Sequence, residues 1–176
     1  MKRVLFLMMA VVISTAMSAQ LVTSTTVTRE KKQKSDSGMF MEVALGTYGS
    51  DWESEGLSID LGLGYRKNFS PYFAWDILKI KAMSELKNFS DGMMVQGLTA
   101  VRGTSPVLFG NVTSFASFGG GYGYATSPEA GGFVYEIQAG LNLTPAISLA
   151  LAYTDQNVSD YNVNVSFIGA KLGFRF

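Results

Sequence analysis

The sequence predicts an all-β protein: an eight-stranded, antiparallel, up-and-down transmembrane β-barrel, preceded by a signal peptide. From residue 38 onward, apolar and polar residues alternate in short segments. The connections between these segments alternate between tight and longer ones, and the chain ends on the apolar, strand-like segment SFIGAKLGFRF (166–176). Alternation with period two indicates strands, because successive side chains of a strand point to opposite faces of the sheet.

The composition favours a sheet in lipid and excludes several classes of function. Charged residues make up 16% of the 176 residues, whereas soluble domains carry roughly 25%. The chain has no Cys and no His, which removes thiolate metal sites, disulfides and the commonest general base. A formal net charge of zero leaves no electrostatic footprint for nucleic acid. We therefore expect no cofactor, no metal site, no catalytic residue and no nucleic-acid partner.

The first 19 residues have the parts of an export signal. Lys2 and Arg3 are followed by the apolar run VLFLMMAVVI (4–13), and small residues end at Ala19. The run is shorter than the roughly 20 residues that a transmembrane helix needs. We expect export with cleavage near Ala19; cleavage after Ala16 is the alternative, although it crowds the apolar run.

The remaining chain divides into a leader and a barrel. Residues 20–37 are polar and Thr/Ser-rich, with little to bury, which predicts a flexible leader before a barrel at 38–176. The leader carries four basic residues: Arg29, Lys31, Lys32 and Lys34. This cluster is interpreted as a solvated tether, or alternatively as a contact with anionic lipid or cell-wall components.

Eight segments have strand character. The clearest is LSIDLGLGYRK (57–67), in which Leu, Ile and Tyr fall on one face and Ser, Asp, Gly and Arg on the other. The segments YEIQAGLNL (135–143) and ISLALAYTD (147–155) repeat the alternation. The predicted strands span 38–48, 56–67, 71–82, 93–103, 111–124, 132–143, 147–155 and 162–176.

The connections predict which end of the barrel is which. Those after the second, fourth and sixth strands are tight or contain Pro: NFSP (68–71), SPVLFG (105–110) and TPA (144–146). Those after the odd-numbered strands are more polar, such as GSDWESEG (49–56) and SELKNFSDG (84–92). Short turns at one end and longer loops at the other are typical of bacterial outer-membrane barrels.

Two strands break the alternation. In YFAWDILKIKAM (72–83), Asp76 faces inward if Trp75 and Ile77 face outward, but the following residues 78–81 then require a change of parity. In the last strand, Val163 and Phe167 have the opposite parity to Ile168. A β-bulge explains either break; a strand that continues above the membrane is the alternative.

The polar face is assigned to the lumen. This face is rich in Gly and sparsely charged. Aromatic residues collect near the strand ends, as they do at membrane interfaces. One face of the segment FGGGYGY (118–124) is too small to fill a soluble core. Four acids and four bases are then expected inside the barrel as a structural charge network: Glu42, Asp60, Asp76, Glu136, Arg66, Arg102, Lys171 and Arg175.

Four segments resemble the small outer-membrane β-barrels of Gram-negative bacteria. They are DLGLGY (60–65), SPYFAWDILKIK (70–81), PVLFGNVTSFASFGGGYGY (106–124) and LGFRF (172–176). The chain resembles porin-family or OmpA/OmpX-like barrel domains, in particular those of the Bacteroidetes group. The resemblance implies an outer-membrane location and recognition of the last strand by the barrel-assembly machinery, through Leu172, Phe174 and Phe176.

The function expected from this resemblance is a non-enzymatic, structural or surface-interaction role, with polar loops available to an extracellular ligand. A small channel for ions or solutes is the first alternative. A lipid-modifying enzyme is the second, although the missing His removes half of the His and Ser pair of the known lipid A-deacylating barrels. A soluble, ligand-carrying barrel is the third, because alternation alone does not say which face points inward.

Overall fold

The structure, a computed structural model, describes residues 37–50, 56–87, 92–127, 129–159 and 163–176. The predicted signal peptide and all of the predicted leader before Ser37 lie outside the described residues. Eight strands are present: β1 (Gly38–Ser50), β2 (Gly56–Asn68), β3 (Phe73–Glu85), β4 (Met94–Phe109), β5 (Val112–Thr126), β6 (Glu129–Asn142), β7 (Ile147–Val158) and β8 (Val163–Arg175). Among the described residues, no helix is long and apolar enough to cross a bilayer.

The eight strands form one closed antiparallel barrel in sequence order. Each strand pairs with the next, and β8 pairs with β1 from Phe40↔Arg175 to Ser50↔Val165. Closure leaves no unpaired sheet edge, which is the condition for β-structure in lipid. The predicted fold is confirmed.

The barrel is apolar outside and polar inside. In β2, Leu61 and Leu63 are about half exposed, at 47% and 54%, while Asp60 and Arg66 on the opposite face of the strand are buried. A soluble barrel would place its apolar side chains inside, so this inversion is the arrangement of a membrane barrel.

The parity break in β3 is a bulge, which was one of its two predicted explanations. The pairing of β3 with β4 shifts register between Asp76 and Lys79. Ile77 and Leu78 both face outward, at 40% and 51% exposure, and the inward positions resume at Lys79. The extra residue therefore turns two lysines of this strand toward the lumen.

The parity break near Phe167–Ile168 in the last strand is not a bulge, so that one of its two predicted explanations is wrong. The pairing of β8 with both neighbours continues without a shift in register. Val163, Val165 and Phe167 point inward throughout and are buried. Val165 and Phe167 pack in an apolar layer that closes the upper lumen together with Ala44, Met83, Met94, Ala125, Ala130 and Val158.

The connections define a turn end and a loop end. At the turn end, Phe69 and Ser70 donate backbone hydrogen bonds to the carbonyl of Phe73, and Leu143 and Thr144 donate to that of Ile147. The expected connection at 105–110 is tighter than predicted: β4 continues to Phe109, and the chain turns at Gly110, whose φ of 57° favours glycine. Both ends of the described chain lie at this turn end, where Phe176 donates to the carbonyl of Met39.

Candidate functional site in the lumen

The centre of the lumen holds six charged side chains from five strands. β1 supplies Glu42, β2 Asp60, β3 Lys79 and Lys81, β6 Glu136, and β8 Lys171. All six are at most 5% exposed. We call these six residues the charge cluster. It contains three acids and three bases, so that its formal charge is zero.

Glu136 forms ion pairs with all three lysines of the cluster. Its carboxylate lies 2.5 Å from Lys81 Nζ and 2.9 Å from Lys171 Nζ, and it also pairs with Lys79. The hydroxyl of Thr154 and the amide of Gln138 donate further hydrogen bonds to it. One carboxylate from β6 thereby joins β3 and β8 across the barrel.

The other two acids complete the cluster. Glu42 Oε2 lies 3.2 Å from Lys171 Nζ and 3.4 Å from Lys79 Nζ. Asp60 Oδ2 lies 2.9 Å from Lys81 Nζ, although neither Asp60 oxygen makes a hydrogen bond of good geometry to a described residue. Asp60 is therefore held mainly by charge, whereas Glu136 and Glu42 are held by charge and hydrogen bonds.

The small residues on the inner face of β2 make room for these long side chains. A Cβ on Gly62 would come within 3.5 Å of the Lys81 side chain and 3.7 Å of Glu42, which is ordinary contact. The ring of Phe40 lies directly over Gly64, where a Cβ would come within 2.5 Å of it. The glycines on this face thus admit a lysine stem and an aromatic ring.

A separate ion pair lies nearer the turn end. Arg66 donates to both oxygens of Asp76, at 2.5 Å from Nε and 2.9 Å from Nη2. Its guanidinium also lies 4.6 Å from the centre of the Phe40 ring. A bidentate pair of this kind is strong and directional, and it fixes the start of β3 to the end of β2.

Two further predicted residues lie outside both groups. Arg102 is buried, donates to Asn142 Oδ1 at 2.5 Å and stacks 3.3 Å from the centre of the Phe115 ring. Arg175 is half-buried at the turn end. Both line a cavity of about 510 Å³ that opens at the turn end.

The structure thus brings together four of the eight residues predicted for the lumen network, Glu42, Asp60, Glu136 and Lys171, in the charge cluster. Arg66 and Asp76 form their own pair. Lys79 and Lys81 were missed, although the parity break in β3 was the signal: a bulge before Lys79 turns both lysines inward. Together with Lys171, they balance the three acids of the cluster, and the predicted arginines lie elsewhere.

The residues predicted as an assembly signal lie on the outer face of β8. Leu172 and Phe176 are exposed, at 38% and 72%, and Phe174 is half-buried. They form one apolar stripe that ends at the turn end.

Not every polar side chain of the strands points inward. On the outer face near the loop end, Ser166 donates to Asp155 Oδ1 at 2.7 Å, and the Tyr153 hydroxyl lies 3.4 Å from Ser166 Oγ. Among the described residues, no group of three or more His, Cys, Asp or Glu is arranged to hold a metal ion. The outer face near the loop end thus carries the Ser166 hydroxyl beside the Asp155 carboxylate.

No family model matches the sequence. No curated protein matches it either. Solved structures do: Neisserial surface protein A is 14% identical with a TM-score of 0.57, covering 80% of this chain and 97% of that one. The outer membrane enzyme PagL is 12% identical with a TM-score of 0.60, covering 78% of this chain and 99% of that one.

Identities this low establish the fold alone, and the resemblance to Bacteroidetes barrels stays a prediction. The chain therefore has the fold of the small, eight-stranded outer-membrane β-barrels.

Proposed function

We propose that the protein is a non-enzymatic, integral outer-membrane barrel that is closed to solutes and acts through its surface or by stabilising the envelope. The observation that carries the proposal is the charge cluster, in which three lysines and three carboxylates interlock across the lumen. Above it, Gln96 donates to Gln156 at 2.9 Å, and the apolar layer follows toward the loop end.

The cluster favours a closed barrel over a channel. An eight-stranded barrel is just wide enough for its own side chains to fill the interior. Opening a path through the cluster would separate Glu136 from several lysines at once, because its carboxylate pairs with all three of them. The small-channel alternative therefore has little support in this lumen.

The contact surface that we propose is the set of loops at the loop end. The loop segments 51–55, 88–91 and 160–162 lie outside the described residues. Their sequences are polar, and they connect neighbouring strands that pair with each other in the closed sheet. A closed barrel wall that presents polar loops suits contact with an extracellular ligand.

A deletion strain distinguishes these roles in cells. We expect loss of the protein to change adhesion or resistance to detergents, with unchanged uptake of small hydrophilic solutes. Complementation with a chain whose 51–55 segment is replaced by Gly and Ser should restore detergent resistance but not adhesion. Slower solute uptake in the deletion strain, restored by the wild type, would contradict the proposal and favour the channel.

A lipid-modifying activity has one observation in its favour, the outward-facing hydroxyl of Ser166 beside Asp155. PagL shows that this fold can carry an enzyme. The described residues near Ser166 supply a carboxylate and Tyr hydroxyls but no imidazole, since the chain lacks His. We expect mass spectrometry to find lipid A unchanged after incubation with the purified protein. A product that appears with the wild type and disappears with Ser166→Ala would overturn the non-enzymatic assignment.

Export and assembly complete the proposal. We infer that the signal peptide is cleaved near Ala19 and that the barrel-assembly machinery reads the stripe of Leu172, Phe174 and Phe176. Phe176→Ser should then slow membrane insertion in cells while leaving refolding into detergent unchanged. Equal insertion of the variant and the wild type would remove Phe176 from the signal.

A further inference from the structure

The cavity at the turn end is lined by several cationic side chains. It has a volume of about 510 Å³ and is lined by the side chains of three arginines, Arg66, Arg102 and Arg175. Cavities of this size, roughly 300–1,000 Å³, are typical of small-molecule sites. The carboxylates near it are already used elsewhere.

The acids of the region are committed to other cations. Both carboxylate oxygens of Asp76 accept hydrogen bonds from Arg66. Glu42, which also lines the cavity, pairs with Lys79 and Lys171 of the charge cluster. Arg102, in contrast, forms no ion pair with a carboxylate of the described residues.

Arg102 itself is unusual because it is buried without a counter-ion. Its exposure is 4%, and among the described residues no carboxylate lies within 4.0 Å of its guanidinium. Its contacts there are the Asn142 side-chain oxygen and the Phe115 ring. A buried charge without an opposite charge is costly, and stacking on an aromatic ring offsets only part of that cost.

The surroundings of Arg102 are built to hold it in one place. Asn142 accepts from Arg102 and donates in turn to Thr113 Oγ1 at 2.8 Å. Phe115 stacks on one face of the guanidinium. The guanidinium has five N–H groups in a planar fork that matches the oxygens of phosphate and carboxylate; with one used on Asn142, others remain for a ligand.

We propose that the turn-end cavity is a binding site for a small solute carrying a phosphate or carboxylate group, with Arg102 as its principal ligand. The hydroxyls of Thr113, Thr144 and Ser148 line the same cavity and offer hydrogen bonds to the rest of the solute. The site is open at the turn end and closed above by the charge cluster, so the solute enters and leaves at the same end. A closed barrel would thereby retain a ligand without conducting it.

The test is titration of the purified, refolded full chain in a neutral detergent, with inorganic phosphate in one arm and acetate in the other, at constant ionic strength set with chloride. Isothermal titration calorimetry should show saturable binding of at least one of the two anions. Arg102→Gln should weaken that binding at least tenfold. Lys67→Gln, which removes an exposed cation at the same end of the barrel, should leave it unchanged.

A direct observation on the wild type covers the case in which Arg102→Gln fails to fold. In a chain with ¹⁵N-labelled arginines, one slowly exchanging side-chain Nε–H resonance should shift and saturate with the same anion. The larger response of phosphate or of acetate then identifies the group that the solute carries. Absence of saturable binding to both anions, equal binding by Arg102→Gln and the wild type, or equal weakening by Lys67→Gln would each overturn the proposal.

Discussion

At the scale of single residues, Glu136 explains how the lumen tolerates so much buried charge. Its carboxylate contacts all three lysines of the charge cluster and accepts hydrogen bonds from Gln138 and Thr154. Buried ion pairs are stable only when the remaining polar atoms are also satisfied. The cluster meets this condition best at Glu136 and least well at Asp60.

Removing the charge of Glu136 should therefore be costly. We expect Glu136→Gln to lower the free energy of unfolding by about 3–5 kcal/mol, because it leaves buried lysines without their shared counter-ion. Urea unfolding in lipid vesicles, followed by tryptophan fluorescence, measures this change. Glu129→Gln, at an exposed position of the same strand, is the control and should change stability little. A loss for Glu136→Gln no larger than that of the control would contradict the structural role of the cluster.

Two glycines of β2 give a second test with matched substitutions. A Cβ on Gly64 would lie 2.5 Å from the Phe40 ring and 2.7 Å from the carbonyl oxygen of Leu78, whereas a Cβ on Gly62 would make ordinary contacts. We expect Gly64→Ala to destabilise the barrel by about 1–3 kcal/mol, as overpacking usually does, and Gly62→Ala to be nearly neutral. Equal midpoints of unfolding for the two variants would contradict this close packing and show that both the Phe40 ring and the Leu78 carbonyl move aside at little cost.

At the scale of elements, β3 and β8 show what sequence alternation can and cannot decide. Both strands break the simple alternation of apolar and polar residues. In β3 the break is a bulge that brings Lys79 and Lys81 to the acids of other strands. In β8 it reflects an apolar layer inside the barrel and no change in the backbone. The local sequence does not separate the two cases, because the difference lies in which residues of distant strands face each position.

The bulge in β3 predicts that two adjacent residues both face lipid. The chain has no Cys, so Ile77→Cys and Leu78→Cys can each carry a single bimane label. Brominated lipids should quench both labels strongly, while a label at Met83→Cys, in the apolar layer inside the barrel, should be quenched weakly. Strong quenching at one of the two adjacent positions alone would mean that the strand alternates without a bulge.

At the scale of the whole molecule, the sequence was sufficient for the architecture and insufficient for the interior. Strand number and antiparallel order follow from alternation and from the pattern of turns, and the outward apolar face follows from the sparse charge of the polar face and the aromatic residues near the strand ends. All of these are local properties of the sequence. The contents of the lumen depend on register between strands, and one extra residue at Ile77–Leu78 decides where Lys79 and Lys81 point. Arg102 illustrates the same limit: its inward position was predictable, but its lack of a carboxylate partner among the described residues appears only when all strands are placed.

The lumen is organised in layers along the barrel axis. An apolar layer lies toward the loop end, the hydrogen-bonded Gln96–Gln156 pair and the charge cluster lie below it, and the arginine-lined cavity opens at the turn end. This order separates a sealed upper half from a solvent-accessible lower half. It predicts a barrel that binds at one end and does not conduct.

Single-channel recording in planar lipid bilayers tests this central claim most directly. We expect the purified wild-type barrel, inserted and checked for folding by its heat-dependent gel mobility, to show no conductance steps above the baseline of the bilayer. Stable, reproducible steps from the folded wild type would contradict the claim that the charge cluster and the apolar layer close the lumen.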